Sequence, residues 1–395
     1  KTTGGTMKNN NVRKSGLAIA MAAAMGASTG ANAEIEIYNK DGTSFSTDGY
    51  INAFYVNTDV DRPGDDLDRR QSRVKMGFFP NYLGFNVGRD MGDLQLGARS
   101  SFWVNINDTD TSGTSTGLNV RQLYGTVGSS WGEILIGRDF GLFARSNLFL
   151  DEVLMGHGHS SDVLGLVDTA GVSFGNIGSG YPYAFPTSQI TYRSPDLGGV
   201  KVAVGILDPN KIAESSSTGA RYEEMPRIES EVTYNMDVSA VNLTAWINGQ
   251  YQKSETKVAG GEDVTSKGIG YGVKVSFEGL SLTASGFTAE GLNPLFTNNF
   301  TIGGALPAFE EQDTEGFLVQ GSYSVGSNRF VVSYGEGTDD ILDTNRETIT
   351  LAAFHDVNDY LKLVTEYTRH ESVVESSGAD LEESDTFAVG AIVTW

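Results

Sequence analysis

The sequence predicts an all-β protein, a 16-stranded antiparallel up-and-down β-barrel that crosses a membrane with strands. Three observations carry this. Apolar residues recur at every second position in segments of about ten residues, roughly what a tilted strand needs to cross a hydrocarbon core. The positions between them are polar and often charged, so the second face is wet and unlike the interior of a sandwich. Short and long connections take turns, which separates two rims of one barrel.

The elements follow in chain order. After Met7, Lys8, Arg13 and Lys14 precede the apolar run Leu17–Met25 and the small-residue site Ala31-Asn32-Ala33. That order reads as a secretory signal peptide, with residues 1–6 expected to be translated upstream sequence. The barrel domain is therefore expected over 34–395. Its first strand is placed near Gly49–Asn57, and its facing is ambiguous, as is that of Asn119–Gly128.

Over Arg73–Val87 the outward parity is even before Pro80 (Val74, Met76, Phe78) and odd after it (Phe85, Val87). A bulge at Pro80-Asn81 would shift the phase by one residue. Clear alternation then runs through Leu94, Leu96, Ala98, Phe102 and Val104, and through Val200, Val202, Val204 and Ile206. Ile228, Val232 and Tyr234 alternate with Arg227, Glu229, Glu231 and Thr233. The same pattern holds for Val241–Ile247, Ile269–Phe277, Phe317–Val325 and Leu361–Tyr367. Several outward faces end in Tyr, Phe or Trp, as expected of belts at the membrane–water interface.

Short connections fall at 90–93, 129–132, 195–199, 236–238, 278–279, 326–328 and 356–359. Long polar ones fall near 58–68, 106–117, 140–186, 208–225, 254–266, 291–313, 337–345 and 373–383. Together these join sixteen strands. The chain closes on Phe387, Val389, Ala391, Val393 and Trp395, again at alternate positions. Closure pairs this last strand with the first and holds Trp395 in a ladder, its ring at the short-turn rim.

Composition narrows the function classes. There is no Cys, which excludes a disulfide framework and thiolate chemistry. Loss of Lys1, Lys8, Arg13 and Lys14 with the signal peptide takes the net charge from −22 to about −26. Such a charge disfavours nucleic acid and anionic lipid as partners. No cofactor is expected. His157-Gly158-His159 with Asp162 lacks a third spaced metal ligand and reads as hydrogen-bonded or solvated. Asp108-Thr109-Asp110-Thr111-Ser112-Gly113 fits half of a calcium loop, but Asn119 stands where a Glu is needed. Asp59, Asp61, Asp65, Asp66 and Asp68 are expected in an outer loop, meeting lipopolysaccharide through divalent cations or forming a plain solvated face.

Several stretches resemble the trimeric general-diffusion porins of the Gram-negative outer membrane. Ala33-Glu34-Ile35-Glu36-Ile37-Tyr38-Asn39-Lys40-Asp41-Gly42 is similar to the start of those porins, with one extra Glu-Ile pair. "RQLYGTVGSSWGEILIGRDFG" (Arg121–Gly141) and "SQITYRSPDLGGVKVAVGI" resemble the hairpins flanking their long third loop. The terminal alternation, with Phe387 and Trp395, resembles their assembly signal, though Phe is usual at the end.

The resemblance implies a third loop folded into the pore, placing acids opposite a basic wall. Here that loop is Asp139–Pro186, with Asp151, Glu152, Asp162 and Asp168 as acids. Candidate wall cations are Arg73, Lys75, Arg99, Arg121, Arg138 and Arg193. Arg73, Arg99 and Arg193 have lumen parity. Arg138 shares parity with Ile134 and Ile136, so its place in the pore rests on the resemblance and a twist at Gly137. The Pro-Glu-Phe-Gly-Gly signature of the loop is absent. A homotrimer, outer-membrane lipid and lipopolysaccharide, the barrel assembly machinery and small hydrophilic solutes are the implied partners.

The reading is therefore an outer-membrane channel for passive diffusion, mildly cation-preferring, and not an enzyme. The alternatives are a sugar-type porin, for which Trp103 and Trp246 would begin a lumen ladder of aromatics, or a secreted β-sandwich. An outer-membrane lipase or protease would need a rim Ser/His/acid set, and with four His in all none is placed that way.

Overall fold

The computed structural model describes residues 34–64, 67–109, 113–114, 118–209, 221–222, 225–256, 263–295, 311, 313–340 and 342–395. Residues 1–33, expected to be a signal peptide, lie outside the described residues, as do Asp65, Asp66, Asp110, Thr111 and Ser112.

Alternating patterns become strands because one face can be buried only at period two. Nineteen strands join in one hydrogen-bonded sheet. Ile35–Lys40 and Arg221–Tyr222 lie along its rims, and Arg69–Lys75 and Asn81–Asp90 are two halves of one crossing. Sixteen antiparallel crossings remain. They are β1 (Thr43–Asp61), β2 (Arg69–Lys75 with Asn81–Asp90), β3 (Gln95–Val104), β4 (Asn119–Ser129), β5 (Gly132–Phe140), β6 (Pro186–Arg193), β7 (Val200–Leu207) and β8 (Arg227–Val238). The rest are β9 (Val241–Thr256), β10 (Val264–Phe277), β11 (Leu280–Glu290), β12 (Asp313–Val325), β13 (Asn328–Asp339), β14 (Thr344–Asn358), β15 (Leu361–Val374) and β16 (Asp380–Thr394).

The barrel closes where Thr394 and Glu383 of β16 pair with Tyr50 and Asp61 of β1. Gly49 donates its N–H to the Trp395 carbonyl at 2.8 Å, and Trp395 donates back at 3.2 Å. The indole lies on Gly49, where any Cβ would collide with it. The terminal aromatic is thus held in a ladder, as the alternation predicts. Below it, Ile35–Lys40 pairs with the start of β1.

Burial is inverted relative to a water-soluble fold. Ile51, Tyr55, Phe85, Ile190, Ile269, Leu351 and Val389 are exposed, whereas Asn52, Ser101, Thr191, Ser333 and Thr368 are buried. The connections fall near the places the sequence marks, except that the turn expected at 236–238 is Ser239-Ala240 and the strands extend further, to Thr256 and Asp339, than expected. At Glu278-Gly279, φ of 47° and 87° gives a two-residue turn whose twist suits a hairpin.

Near Pro80 the strand does change phase, but by leaving the ladder altogether. Phe54 pairs with Lys75 and Tyr50 with Tyr82, so residues 76–81 span only three residues of β1. Met76 and Phe78, expected outside, are buried instead. Side chains replace the missing ladder partners: Met76 donates its N–H to Asn107 Oδ1 at 2.7 Å and Gly77 to Asn52 Oδ1 at 2.6 Å.

Two glycine rows make room on the inner wall. A Cβ on Gly270 would lie 2.5 Å from Asn248 Oδ1 and 3.1 Å from Asn147 Oδ1, and one on Gly268 would lie 2.6 Å from the Phe143 ring. On β13, Cβ atoms on Gly335 and Gly337 would lie 2.8 Å and 2.5 Å from the carbonyls of Ser179 and Gly178.

Candidate functional site

The connection 141–185 begins with a single helical turn, α1 (Arg145–Phe149). A chain of this length carries many backbone N–H groups, and buried ones need acceptors. Inward carboxylates of the wall supply them. Glu229 Oε2 accepts from Leu142 and Phe143 (2.5 and 3.0 Å), and Glu231 Oε1 from Ser146 (3.1 Å). Glu366 accepts from His157 and Gly158 (3.2 and 2.6 Å), and Glu382 Oε2 from Asp162 and Val163 (2.7 and 2.8 Å). Hydrogen bonds to an ionised acceptor are the stronger kind. These four acids were not singled out from the sequence. Inward parity marks Glu229, Glu231 and Glu366, but a pattern that reports facing says nothing of a partner across the barrel.

The four expected loop acids separate into three settings. Asp151 accepts from Tyr181 Oη (2.5 Å), Asn176 Nδ2 (2.9 Å) and Gln320 Nε2 (2.6 Å), and burial pushes its carboxyl up. Glu152 meets Lys274 Nζ at 2.6 Å and Arg329 Nη1 at 2.9 Å. Burial works to raise its pKa too, but these two cations outweigh it and hold the carboxyl below the usual range. Asp162 pairs with Arg62 (2.8 Å) and Arg69 (3.5 Å), and Asp168 pairs with Arg69 and accepts from Gln71. Glu152, Asp162 and Asp168 are therefore each ion-paired, whereas Asp151 is bonded to neutral groups. Lys274, Arg329, Arg62 and Arg69 are cations the sequence reading had not placed.

The expected basic wall is dispersed into pairs. Arg99 donates to both Asp48 oxygens (2.8 and 3.0 Å), to Asn86 and to Gln122. Arg193 bonds Asp139 at 3.0 Å and Glu133 at 3.3 Å, and Asp139 also has Arg145 at 3.6 Å. Lys75 donates to the Leu166 carbonyl, and Arg73 to that of Asp108 at 2.8 Å. Arg121 is the extra residue of a bulge, since Ser101 faces Gln122 and Phe102 faces Val120. The bulge turns it onto Trp103, with its guanidinium 4.8 Å from the indole centre and Nη1 donating to Tyr183 Oη. It also accounts for the ambiguous facing of this strand. Arg138 follows Gly137, whose φ is 132°, and its charge reaches the Tyr183 phenol.

His157 and His159 are buried, with Nδ1 at 2.8 Å from the Gly158 carbonyl and 3.0 Å from that of Gly175. Burial lowers both to a pKa of about 4. The His159 ring stacks on His370 with centroids 4.0 Å apart. Asp59 and Asp61, expected in an outer loop, lie instead in β1, where Asp59 pairs with Arg70; Asp68 accepts from the Arg62 N–H at 3.2 Å.

An inverted barrel with paired charges and a long connection bonded to its inner wall can hold water and select solutes by charge and size. Comparison with known proteins points the same way. A family model described as Gram-negative porin matches residues 18–373. Outer membrane protein U of Vibrio parahaemolyticus serotype O3:K6 (strain RIMD 2210633) is 30% identical over 166 residues, which span 40% of this chain and 44% of that relative. Two solved structures share the fold. The anion-selective porin from Comamonas acidovorans matches with a TM-score of 0.61 and 17% identity, over 89% of this chain and 100% of that one. The outer membrane channel DcaP of Acinetobacter baumannii matches with a TM-score of 0.64 and 16% identity, over 90% and 99%.

Proposed function

From the premise that the chain belongs to the Gram-negative porin family, we propose that it is an outer-membrane channel for passive diffusion of small hydrophilic solutes and ions. The observation that carries this is the closed wall of sixteen crossings, whose outer face exposes apolar side chains while its inner face buries many polar ones beside an apolar cluster around Phe54, Leu318 and Phe354. Segment 141–185 serves as the constriction, its acids Glu152, Asp162 and Asp168 set against wall cations and Asp151 held by neutral groups. Arg73, Lys75, Arg99, Arg121, Arg138 and Arg193 tune the same passage. An excess of 50 acids over 28 Lys and Arg supports a mild cation preference that fades with salt. The working unit is a homotrimer, inserted by the barrel assembly machinery through the Phe387–Trp395 stripe and bounded by outer-membrane lipid and lipopolysaccharide. Residues 1–33 are removed as a signal peptide.

Planar-bilayer recording tests this. Stepwise openings in KCl with a weakly cationic reversal potential support it, and a detergent-folded protein that never conducts refutes it. Cross-linking in mild detergent should give three copies, and a stable conducting monomer would refute the trimer.

A second reading, a sugar-type channel, draws support from a run of inward aromatics. Tyr50, Tyr82, Trp103, Phe140 and Phe149 touch in sequence, with centroids 6.2, 5.6, 5.8 and 5.0 Å apart. Saturable uptake of oligosaccharides into liposomes would favour it over simple diffusion.

A further inference from the structure

Arg121 and Arg138 are half-buried cations of this acidic chain that share a neighbourhood without an ion pair, unlike most of its buried arginines. Among the described residues, neither has a carboxylate at ion-pair distance, whereas Arg99, Arg193, Arg227 and Arg329 all do. Both bear on one phenol, Tyr183. Arg121 is the better held. Its guanidinium rests on the buried Trp103 indole, and Nη1 is committed to Tyr183 Oη, while no bond engages its Nε or Nη2 among the described residues.

This guanidinium borders a recess of about 490 Å³. Met76, Val104, Leu118, Val120 and Val172 give the recess apolar walls, and Asn105 and Asn119 stand beside them. The volume is within the range of small-molecule sites, roughly 300–1,000 Å³, and the lining sets apolar side chains beside an at least equal share of polar surface from Asn105, Asn119, Arg121 and the main chain. A guanidinium immobilised before the ligand arrives loses little entropy on binding, and its planar edge suits a carboxylate. Among the described residues, no acid lines the recess to repel an anion.

We infer that this recess is a binding station for small organic monoanions that combine a carboxylate with a compact apolar body. The carboxylate meets the free edge of Arg121, and the body lies along Met76, Val120 and Val172. The inference rests on the channel reading and deepens it, because passage would then be facilitated for one solute class.

Benzoate is the probe, with benzamide lacking the charge and acetate lacking the body. In bilayers held in KCl at neutral pH, benzoate should interrupt the open current with an apparent affinity at least tenfold above either control. Arg121→Gln should lower that affinity at least tenfold. Tyr183→Phe, which removes only the hydroxyl that fixes Arg121, should lower it about threefold, and it decides the matter if Arg121→Gln fails to insert. Benzoate acting no better than acetate on a conducting wild-type channel overturns the recess alone, as does an unchanged benzoate effect in both variants. Absence of any KCl conductance overturns the channel reading instead.

Discussion

Changing Glu152 to Gln tests the electrostatics of the loop most directly. Glu152 is buried, and its charge is met by Lys274 at 2.6 Å and Arg329 at 2.9 Å. The wild-type group of three carries one net positive charge; the variant carries two. A unit charge acts on an ion about 8 Å away in water with about 0.5 kcal/mol, cut to about 0.2 by one screening length at physiological salt. Cations and anions feel it with opposite sign, so selectivity moves toward anions by about 0.4 kcal/mol, or about twofold. At ~10 mM salt, where screening reaches about 30 Å, the same arithmetic gives about 0.8 kcal/mol, or about fourfold. Removing one member of a buried pair costs ~3–5 kcal/mol, and the low end applies because Lys274 and Arg329 keep 20% and 19% of their side chains exposed and can turn to water. The assay is reversal potential under a KCl gradient at several salt concentrations. An unchanged reversal potential, or a shift that ignores salt, would remove Glu152 from the ion path and point to Asp162 and Asp168.

Three further outcomes are expected. Gly337→Val places side-chain atoms against the Gly178 carbonyl, which as backbone cannot turn aside, so the returning arm of the loop should lift and single-channel conductance rise while the barrel still inserts. His157 and His159 ordinarily titrate near 6.5 and are lowered to about 4 by burial, so the loop is seated with both neutral. Seating is then strongest above about pH 6.5 and weakens as pH falls toward 4, by about 1.4 kcal/mol per unit for each ring. His159 has His370 at 4.0 Å and Arg346 nearby, and His157 has Lys75 nearby, all of which oppose a new positive charge. Current noise should grow in acid and grow less in a His157→Gln, His159→Gln double variant; equal pH profiles would refute this. Deleting Trp395 should lower outer-membrane yield because its ring and ladder bonds to Gly49 are lost, whereas Trp395→Phe should be nearly silent. Quantitative blotting of membrane fractions decides that case.

Much of the barrel could be read from the chain because strand patterns are local. Period two reports which way a residue faces, and Gly-, Asn- and Asp-rich gaps report where the chain turns, so crossings, rims and the closing pair with Trp395 follow. The same signal is silent about partners. Glu152 and Arg329 are 177 positions apart, and the loop amides of His157 and Gly158 reach an acceptor 209 and 208 positions away. Nothing in either neighbourhood announces the other. Local irregularities also escape alternation: the bulge that turns Arg121 inward and the side-chain bonds from Asn52 and Asn107 that draw residues 76–80 out of the ladder. The space made by the glycines at 268, 270, 335 and 337 could not be read from the sequence, since the atoms that fill it come from the loop.

The wall carboxylates grip the long connection by its main chain, and the peptide N–H is common to every residue but proline. At Leu142, Phe143, Asp162 and Val163 the grip itself is blind to the side chain and is lost only to proline, whereas Asp151 and Glu152 are also held by their carboxylates and Gly156 and Gly158 have no room for a Cβ. The segment is then free at those four positions to drift toward new solute preferences while its path stays put, and loss of the Pro-Glu-Phe-Gly-Gly signature is a change such a seat tolerates. Evolvability of the passage and constancy of the barrel are thereby assigned to different atoms of the same chain.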